Sequence, residues 1–405
     1  MAKSKLFQPI QLGDLILKHR VVLAPLTRFR ATDDHVPLPH VAEYYVQRSN
    51  TPGTFLISEG TFIAHRAAGY PNVPGIWNEK QISEWRKIVD AVHAKGCFIF
   101  MQLWALGRVA TPSQLTKEDP NLKYEGASTV PLPEKAGDLI PHPLTIAEIN
   151  EYIELYTTAA HNAVHLAGFD GVEVHGANGY IVDQFLQDVS NVRTDAYGGS
   201  IPNRARFGLE VMEAIVRRVG EKRAAIRLSP WGSVHGNLYT GLNNQDTHAD
   251  FRPAGMGMSD PKPQFGYFVE ELRKRFPNLA YVHVVEPRVN GYTDISIPEG
   301  HSNDFIREIW GSGDGPNDRR LISAGGYKRA NGIEVADKKG DLIAYGRPFI
   351  ANPDLPYRLE NDIPLTIGVR QWYYNYGSMD PKGYTDYPFA GEESTSAEYL
   401  QESKL

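Results

Sequence analysis

Three polar side chains within residues 171–180 have the types needed to polarise and protonate a substrate: His175, Asn178 and Tyr180. An imidazole and a carboxamide can both donate hydrogen bonds to one oxygen, and a donor aimed at developing charge is commonly worth about 10²–10³ in rate. A neutral phenol, with an ordinary pKa of about 10, can deliver a proton. The trio predicts activation of a conjugated C=C bond through a carbonyl or nitro oxygen, although an Asn-Gly turn can also be purely structural.

The turn that carries the trio follows a short apolar run, in which Val172 and Val174 have the spacing of a strand. Eight such runs cover residues 21–26, 55–62, 97–104, 171–174, 224–229, 281–285, 321–324 and 341–344. Helix patterns cover residues 79–95, 146–167, 201–219, 265–276 and 302–310. This alternation predicts an α/β fold, a (β/α)8 TIM barrel with its parallel strands covered by helices. A doubly wound open sheet is the alternative, but the Gly-x-Gly-x-x-Gly turn expected after its first strand is absent there.

Residues 6–20 resemble a small hairpin that plugs one end of the barrel. Thr145 and Glu148 form a capping-box signature at the start of the helix pattern over residues 146–167. We predict one barrel domain over residues 1–390 and a flexible C-terminal tail over 391–405.

Two long insertions follow the third and fifth predicted strands, over residues 107–143 and 232–264. Neither shows a periodicity of its own, and loops of this length are usually lids or specificity elements. Because both follow strands, we expect both to rise from the carboxyl face of the barrel.

Composition narrows the class of protein. The hydrophobic content of 41% can support a large core, and a net charge of -6 without a basic block argues against nucleic acid or an acidic membrane as a partner. Cys97 is the single cysteine, so an intramolecular disulfide is impossible and a reducing compartment is expected. Because Cys97 lies in an apolar run, we expect a buried structural thiol. We find no signal-peptide pattern, and no apolar run approaches the roughly 18 residues of a membrane helix.

The chain ends in Ser403, Lys404 and Leu405, which is the pattern of a peroxisomal address. We therefore expect a peroxisomal import receptor as a partner and a peroxisomal location, with the cytoplasm as the alternative. The sequence leaves the choice between a monomer and a homodimer open.

If the barrel is correct, its chemistry lies at the carboxyl ends of the strands. Besides the trio, the residues at these ends are Thr27, Glu59, Gly60, Gln102, Trp104, Arg227, Gly325, Gly326, Gly346 and Arg347. Glycines that free backbone N–H groups, together with an arginine, predict a phosphate site at the last two strands.

The remaining strand-end groups fit a flavin better than other cofactors. Gln102 offers a donor and an acceptor to a pyrimidine-like edge, and Arg227 can stabilise negative charge on a reduced ring. A pyridoxal enzyme would need a lysine at a strand end. A metal site would need a cluster of ligands, and His175 has no second histidine on its own or a neighbouring strand end, so we predict no metal.

Several longer motifs resemble the Old Yellow Enzyme family of FMN-dependent ene-reductases, in its fungal or plant-type branch. They are the segments 24–28, 59–61, 102–104, 175–180, 184–207 and 344–354. The resemblance implies that Pro25, Thr27, Gly60, Gln102 and Arg227 hold the flavin ring, and that Gly325, Gly326, Gly346 and Arg347 hold its phosphate. It also implies that His175 and Asn178 anchor the substrate oxygen, that Tyr180 donates the proton, and that Trp104 and Tyr374 wall the substrate pocket, with Tyr373 as the alternative to Tyr374.

The resemblance further implies an NADPH dehydrogenase with tightly but non-covalently bound FMN. Hydride would pass from the flavin N5 to Cβ of an α,β-unsaturated carbonyl or nitro compound, such as an enone or enal, and Tyr180 would protonate Cα. A flavin-dependent double-bond isomerase is the alternative, and a non-catalytic barrel is a distant one.

Overall fold

The computed structural model describes residues 3–132, 139–232, 256–290, 293–294, 296–315 and 318–392. Its strands are β1 (Ile10–Leu12), β2 (Leu15–Leu17), β3 (Val21–Leu23), β4 (Phe55–Ile57), β5 (Thr61–Phe62), β6 (Phe98–Trp104), β7 (Glu125–Gly126), β8 (His142–Pro143), β9 (Gly171–Gly176), β10 (Ala224–Leu228), β11 (Tyr281–Val285), β12 (Val289–Asn290), β13 (Thr293–Asp294), β14 (Leu321–Ala324) and β15 (Leu342–Tyr345).

Eight of the described strands form a closed parallel barrel, which confirms the predicted fold. Their order is β3, β4, β6, β9, β10, β11, β14 and β15, and β15 pairs again with β3. β5 continues along β6 as a short extra strand. The eight predicted apolar runs therefore correspond to the eight strands of the barrel.

Helices lie between the strands along the chain. They are α1 (Val41–Arg48), α2 (Glu79–His93), α3 (Pro112–Glu118), α4 (Ile146–His161), α5 (Ile181–Leu186), α6 (Ile201–Val219), α7 (Lys262–Arg275), α8 (Asp304–Trp310), α9 (Arg329–Lys339), α10 (Arg347–Ala351) and α11 (Leu355–Asn361). The predicted capping box begins α4: the Thr145 hydroxyl accepts from the Glu148 N–H at 3.2 Å, and the Glu148 carboxylate accepts from the Thr145 N–H at 2.9 Å.

Side chains of the barrel strands alternate between two environments. Val172 and Val174 of β9 pack in the large apolar layer between the strands and the helices. Glu173 and His175 therefore face the barrel interior, since successive residues of a strand point to opposite faces. The same alternation turns the polar residues of β6, β10 and β11 inward at the site end.

The amino end of the barrel interior is apolar and closed. The rings of Phe100 and Tyr281 lie 5.1 and 5.8 Å from the ring of Phe55. The antiparallel hairpin β1–β2 packs Leu12 and Leu17 into this same cluster, which confirms the predicted plug. The opposite, carboxyl end is left for the polar groups.

Several boundaries differ from the predictions. β3 stops at Leu23 rather than at residue 26, because Pro25 has no N–H to continue a strand ladder. The run 55–62 divides into β4 and β5. The helix over 146–167 remains α-helical only to His161 and continues as a π-helical turn over Asn162–Leu166.

The insertion over 107–143 was predicted to lack regular structure, but the structure shows some. It contains α3, and β7 pairs with β8 in parallel at its ends. α3 has seven residues and buries only Leu115, so its apolar pattern is too short to read from the sequence. Much of the insertion over 232–264, and the tail with Ser403, Lys404 and Leu405, lie outside the described residues.

Among the helices that the structure describes, none combines the length and apolar character needed to cross a membrane.

Candidate active site

The predicted trio lies at the carboxyl end of β9, on the inner side of the barrel. His175 is buried, and its backbone is in register with Arg227 of β10. Tyr180 is also buried and stands at the residue before α5. Asn178, between them, is partly exposed. The structure therefore brings the imidazole, the carboxamide and the phenol to one end of the barrel.

An unusual backbone conformation shapes the turn. Asn178 has φ 55° and Gly179 has φ 74°, so two consecutive residues adopt positive φ. Asparagine tolerates this region better than most residues, and glycine enters it freely. The Asn178 N–H donates to the Ser229 hydroxyl at 2.7 Å, and Ser229 directly follows β10. The turn is thus held against the neighbouring strand end.

Aromatic rings enclose the phenol of Tyr180. Its ring lies edge-on to Trp104 at 4.8 Å and to His175 at 4.7 Å, while Trp104 stacks with His175 at 6.0 Å. Gly60 makes room for this arrangement, because a Cβ at this position would lie 2.6 Å from Cε3 of Trp104. The predicted pocket residue Trp104 and the proposed proton donor are therefore in direct contact.

Tyr180 is held in its protonated form. Burial raises the pKa of its phenol well above the usual value, and Tyr374 raises it further, while the positive charge of Arg227 opposes the shift. A proton donor must carry its proton at the working pH, so this environment suits general-acid chemistry.

Tyr374 and Tyr373 have different surroundings. Tyr374 packs against the cluster that contains Trp104 and Tyr180, and its edge meets the ring of Phe29 at 5.8 Å. Tyr373 packs with Ile350 in a second cluster beside α10, and Tyr374 borders this cluster too. Only Tyr374 also packs against the cluster of Trp104 and Tyr180, so the choice of Tyr374 for the substrate side stays the prediction.

Buried arginines hold the C-terminal segment, residues 370–392, on the barrel. Arg28 donates from Nε to the Tyr373 carbonyl at 3.0 Å and from Nη2 to the Gly383 carbonyl at 2.7 Å. Arg30 donates to the Asp380 carbonyl at 2.9 Å, and its guanidinium lies 4.7 Å from the ring centroid of Tyr384. These contacts set the position of Tyr374.

A polar layer that the sequence analysis missed lies beneath the trio. Glu173, two residues before His175 on the same inner face, accepts from Nε2 of Gln102 and pairs with Nδ1 of His283, each at 2.8 Å. Burial tends to raise the pKa of Glu173, but His283, Arg227 and Gln102 hold it below its usual value. Alternation along β9 was the available signal, because it turns Glu173 inward with His175.

This layer changes the expected role of Gln102. The prediction gave its amide both a donor and an acceptor for a flavin edge. One N–H is already committed to Glu173, and this bond orients the amide. The Gln102 carbonyl oxygen and its second N–H are then the groups that remain for a ligand.

Residues of the predicted phosphate site meet at the ends of β14 and β15. Gly325 and Gly326 have φ 122° and 58°, and Gly346 precedes Arg347 at the start of α10. Arg288, which follows β11, was missed: its Nε donates to the Gly325 carbonyl. A search for polar residues a few positions further beyond the sixth predicted strand would have identified Arg288.

Other residues predicted to hold a flavin lie at the same end. Pro25 and Thr27 are partly buried just beyond β3. Among the described residues, Nε of Arg227, Nη2 of Arg288 and Nε1 of Trp104 are buried without a hydrogen-bond partner. Buried polar groups normally have partners, so these donors fit a ligand with acceptor atoms. A flavin mononucleotide, with a polar ring edge and a phosphate, matches that donor set.

Comparisons with known proteins agree with this geometry. The model of the NADH:flavin oxidoreductase / NADH oxidase family matches residues 5–366. The NADP-dependent oxidoreductase lnbE of Aspergillus flavus is 44% identical over 96% of this chain and 97% of its own. Chanoclavine-I aldehyde reductase fgaOx3 of Penicillium roqueforti is 45% identical over 96% of this chain and 97% of its own.

A further relative and a solved structure are also similar to this chain. A probable inactive reductase, easA of Epichloe festucae var. lolii, is 41% identical over 100% of this chain and 98% of its own. The crystal structure of Old Yellow Enzyme from Pichia sp. AKU4542 superposes with a TM-score of 0.81 at 36% identity, covering 98% of this chain and 96% of the other.

Proposed function

Because the chain belongs to the NADH:flavin oxidoreductase / NADH oxidase family, and within it to the Old Yellow Enzymes, we propose that it uses NADPH to reduce activated C=C bonds. The substrates are α,β-unsaturated carbonyl or nitro compounds. The observation that carries the proposal is the buried phenol of Tyr180 between Trp104 and His175, at the end of β9.

FMN, when bound, supplies the hydride. Arg227, Gln102, Gly60, Pro25 and Thr27 would hold its ring. Gly325, Gly326, Gly346 and Arg347 would hold its phosphate, with Arg288 beside them.

The substrate oxygen is the group that His175 and Asn178 would bind. Both side chains can donate a hydrogen bond, and donation draws electron density from the conjugated C=C bond. This polarisation makes the far carbon, Cβ, more receptive to hydride. The same two bonds orient the substrate in the pocket walled by Trp104 and Tyr374.

Tyr180 would complete the reaction by protonating Cα. Its raised pKa keeps the phenol protonated across the neutral range. Burial also limits access of water to this carbon, so the phenol becomes the principal proton source. An imidazolium in that position would bring a charge into an aromatic enclosure, and a carboxyl group would ordinarily have lost its proton at neutral pH, whereas a phenol is neutral and protonated before transfer.

The names of two relatives support the choice of cosubstrate and probe. An NADP-dependent relative favours NADPH as reductant, and an aldehyde reductase favours testing enals beside enones. The relative named as a probable inactive reductase makes a direct assay necessary.

The test is an anaerobic absorbance experiment on the purified protein. We expect a flavin band that bleaches with NADPH and returns when 2-cyclohexenone is added, with cyclohexanone as the product. A colourless protein that also fails to bind added FMN would contradict the cofactor. A band that bleaches but does not return with enones, enals or nitroalkenes would contradict the reductase and favour an isomerase, identified by a product with a moved double bond.

A further inference from the structure

A carboxylate lies directly under the turn that carries Asn178. Asp183 is the third residue of α5 and is completely buried. Its Oδ2 accepts from the Gly179 N–H at 2.7 Å, and its Oδ1 accepts from Nε2 of Gln187 at 2.9 Å. The sequence analysis assigned Asp183 no role.

Ser229 connects this carboxylate to Asn178. The Ser229 hydroxyl faces the Asp183 carboxylate and acts to lower its pKa, and it accepts from the Asn178 N–H at 2.7 Å. Because the lone pairs of the hydroxyl face Asn178, its proton is available to Asp183. Asp183 thus reaches two consecutive N–H groups of the turn, one directly and one through Ser229.

The three partners of Asp183 are all donors, which suits an ionised carboxylate because it can only accept. Burial raises the pKa of Asp183 to about 7, because it outweighs Gln187, Gly179, Ser229 and the positive charge of Arg108, which favour the ionised form. The carboxylate form therefore predominates above pH 7, which is where the variants below are compared. A protonated or amidated side chain would place a donor against one of these donors and leave a buried N–H without an acceptor.

The turn needs this support. Asn178 and Gly179 both have positive φ, and a non-glycine residue in that region is less stable than in the usual regions. The ring of Tyr180, in contrast, is held by Trp104 and His175. Loss of the carboxylate should therefore displace the carboxamide of Asn178 more than it displaces the phenol.

We propose that Asp183 is a positioning residue that fixes the carboxamide of Asn178 for the substrate oxygen, by accepting the Gly179 N–H and, through Ser229, orienting the Asn178 N–H. This inference rests on the proposed function, which assigns Asn178 to the substrate oxygen. It is a role for a buried carboxylate outside the trio itself.

The same network reaches the described end of the insertion over 232–264. Oε1 of Gln187 accepts from the Gly257 N–H at 3.0 Å, while its Nε2 donates to Asp183. Sδ of the neighbouring Met256 lies 3.2 Å from Nη2 of Arg108, the cation that acts on Asp183. A change at this end of the insertion can therefore alter the support of the turn.

The test is Asp183→Asn, which keeps the size of the side chain and replaces one acceptor by a donor. In the anaerobic reoxidation of NADPH-reduced holoenzyme by 2-cyclohexenone, we expect the half-saturating enone concentration to rise roughly tenfold, as for a buried unsatisfied donor. The limiting rate should fall as well, because the displaced carboxamide also polarises the C=C bond. In an Asn178→Ala background, the same change should raise half-saturation by less than about twofold, because coupled residues are not additive.

Asp170→Asn is the matched control at the other end of the same strand. Asp170 precedes β9, accepts from the Ile99 N–H at 2.7 Å and pairs with Nε2 of His93 at 3.0 Å, so its loss affects folding without touching the turn. We expect Asp170→Asn to lower the melting temperature and leave half-saturation unchanged.

Three results would overturn the proposal: an unchanged half-saturation in Asp183→Asn, an equal rise in the Asn178→Ala background, or an equal rise in Asp170→Asn. If Asp183→Asn does not fold, Ser229→Ala takes its place, because it removes only the hydroxyl between Asp183 and the turn. Its half-saturating enone concentration is then measured alone and in the Asn178→Ala background, and the same results would overturn the proposal. A wild-type protein that is not reoxidised by the enone contradicts the proposed function instead, before any variant is compared.

Discussion

Replacing Tyr180 with phenylalanine should separate the two halves of the proposed reaction. The variant keeps the ring contacts with Trp104 at 4.8 Å and His175 at 4.7 Å, so the enclosure should survive. What it loses is the proton source, and Tyr180 is only 5% exposed, so water cannot readily replace it. General-acid catalysis is worth about 10²–10⁴, or about 2.7–5.4 kcal/mol of barrier at about 1.36 kcal/mol per tenfold.

The assay is stopped-flow absorbance of the flavin under anaerobic conditions. Reduction by NADPH should proceed at nearly the wild-type rate, and reoxidation by 2-cyclohexenone should slow by about 10²–10⁴. Because the pKa of Tyr180 is raised, wild-type reoxidation should not fall between pH 7 and pH 9 through loss of this proton.

A second buried tyrosine provides the control. Tyr156 lies on α4 between the helices and the strands, away from the strand ends, and burial raises the pKa of its phenol as well. Tyr156→Phe should leave both half-reactions unchanged. Equal losses of rate in both half-reactions of Tyr180→Phe, or no loss in either, would refute the assignment of Tyr180 as proton donor.

Three further predictions concern a carboxylate near β4, the polar layer and the C-terminus. Burial raises the pKa of Glu59 to about 7, so the folded protein binds this proton more tightly than the unfolded chain, and wild-type stability falls as pH rises from about 4.5 to 7. Urea unfolding should therefore show that the free energy of unfolding of Glu59→Gln, minus that of the wild type, increases by up to about 1.4 kcal/mol per pH unit in that window. Above pH 7 this difference should no longer change with pH. A difference that stays constant over the whole range would contradict the raised pKa. Glu173→Gln removes the negative charge that faces Arg227, so a spectroelectrochemical titration should find the flavin midpoint more positive by about 30 mV, equivalent to about 1.4 kcal/mol; an unchanged or lower midpoint would count against this coupling. Residues 401–405 fused to a fluorescent reporter should direct it to peroxisomes, and the same reporter without Leu405 should stay diffuse; a diffuse signal from both would end the peroxisomal prediction.

Much of the architecture could be predicted because its causes are local. Val172 and Val174 show strand spacing, and the same pattern repeated with helices between gives a closed parallel sheet. The capping box of Thr145 and Glu148 depends on side chains three residues apart, so the start of α4 could be read directly.

The parts that could not be predicted depend on contacts between distant segments. Glu173 joins Gln102 and His283 only when β6, β9 and β11 turn their side chains into one barrel interior, and Asp183 meets Ser229 only when α5 lies over the end of β10. β4 and β5 were predicted as one strand, because apolar character alone does not show where pairing stops. The roles of the trio stay predictions, although the structure brings its three members together.

The buried arginines have a consequence for how this enzyme could diversify. Arg28 and Arg30 grip the C-terminal segment by its backbone carbonyls, which every amino acid possesses. The side chains between those attachment points can therefore change, or be replaced by those of a relative, while the path of the chain stays the same. Exchange of this one segment between related genes would alter the pocket wall around position 374 without changing the barrel.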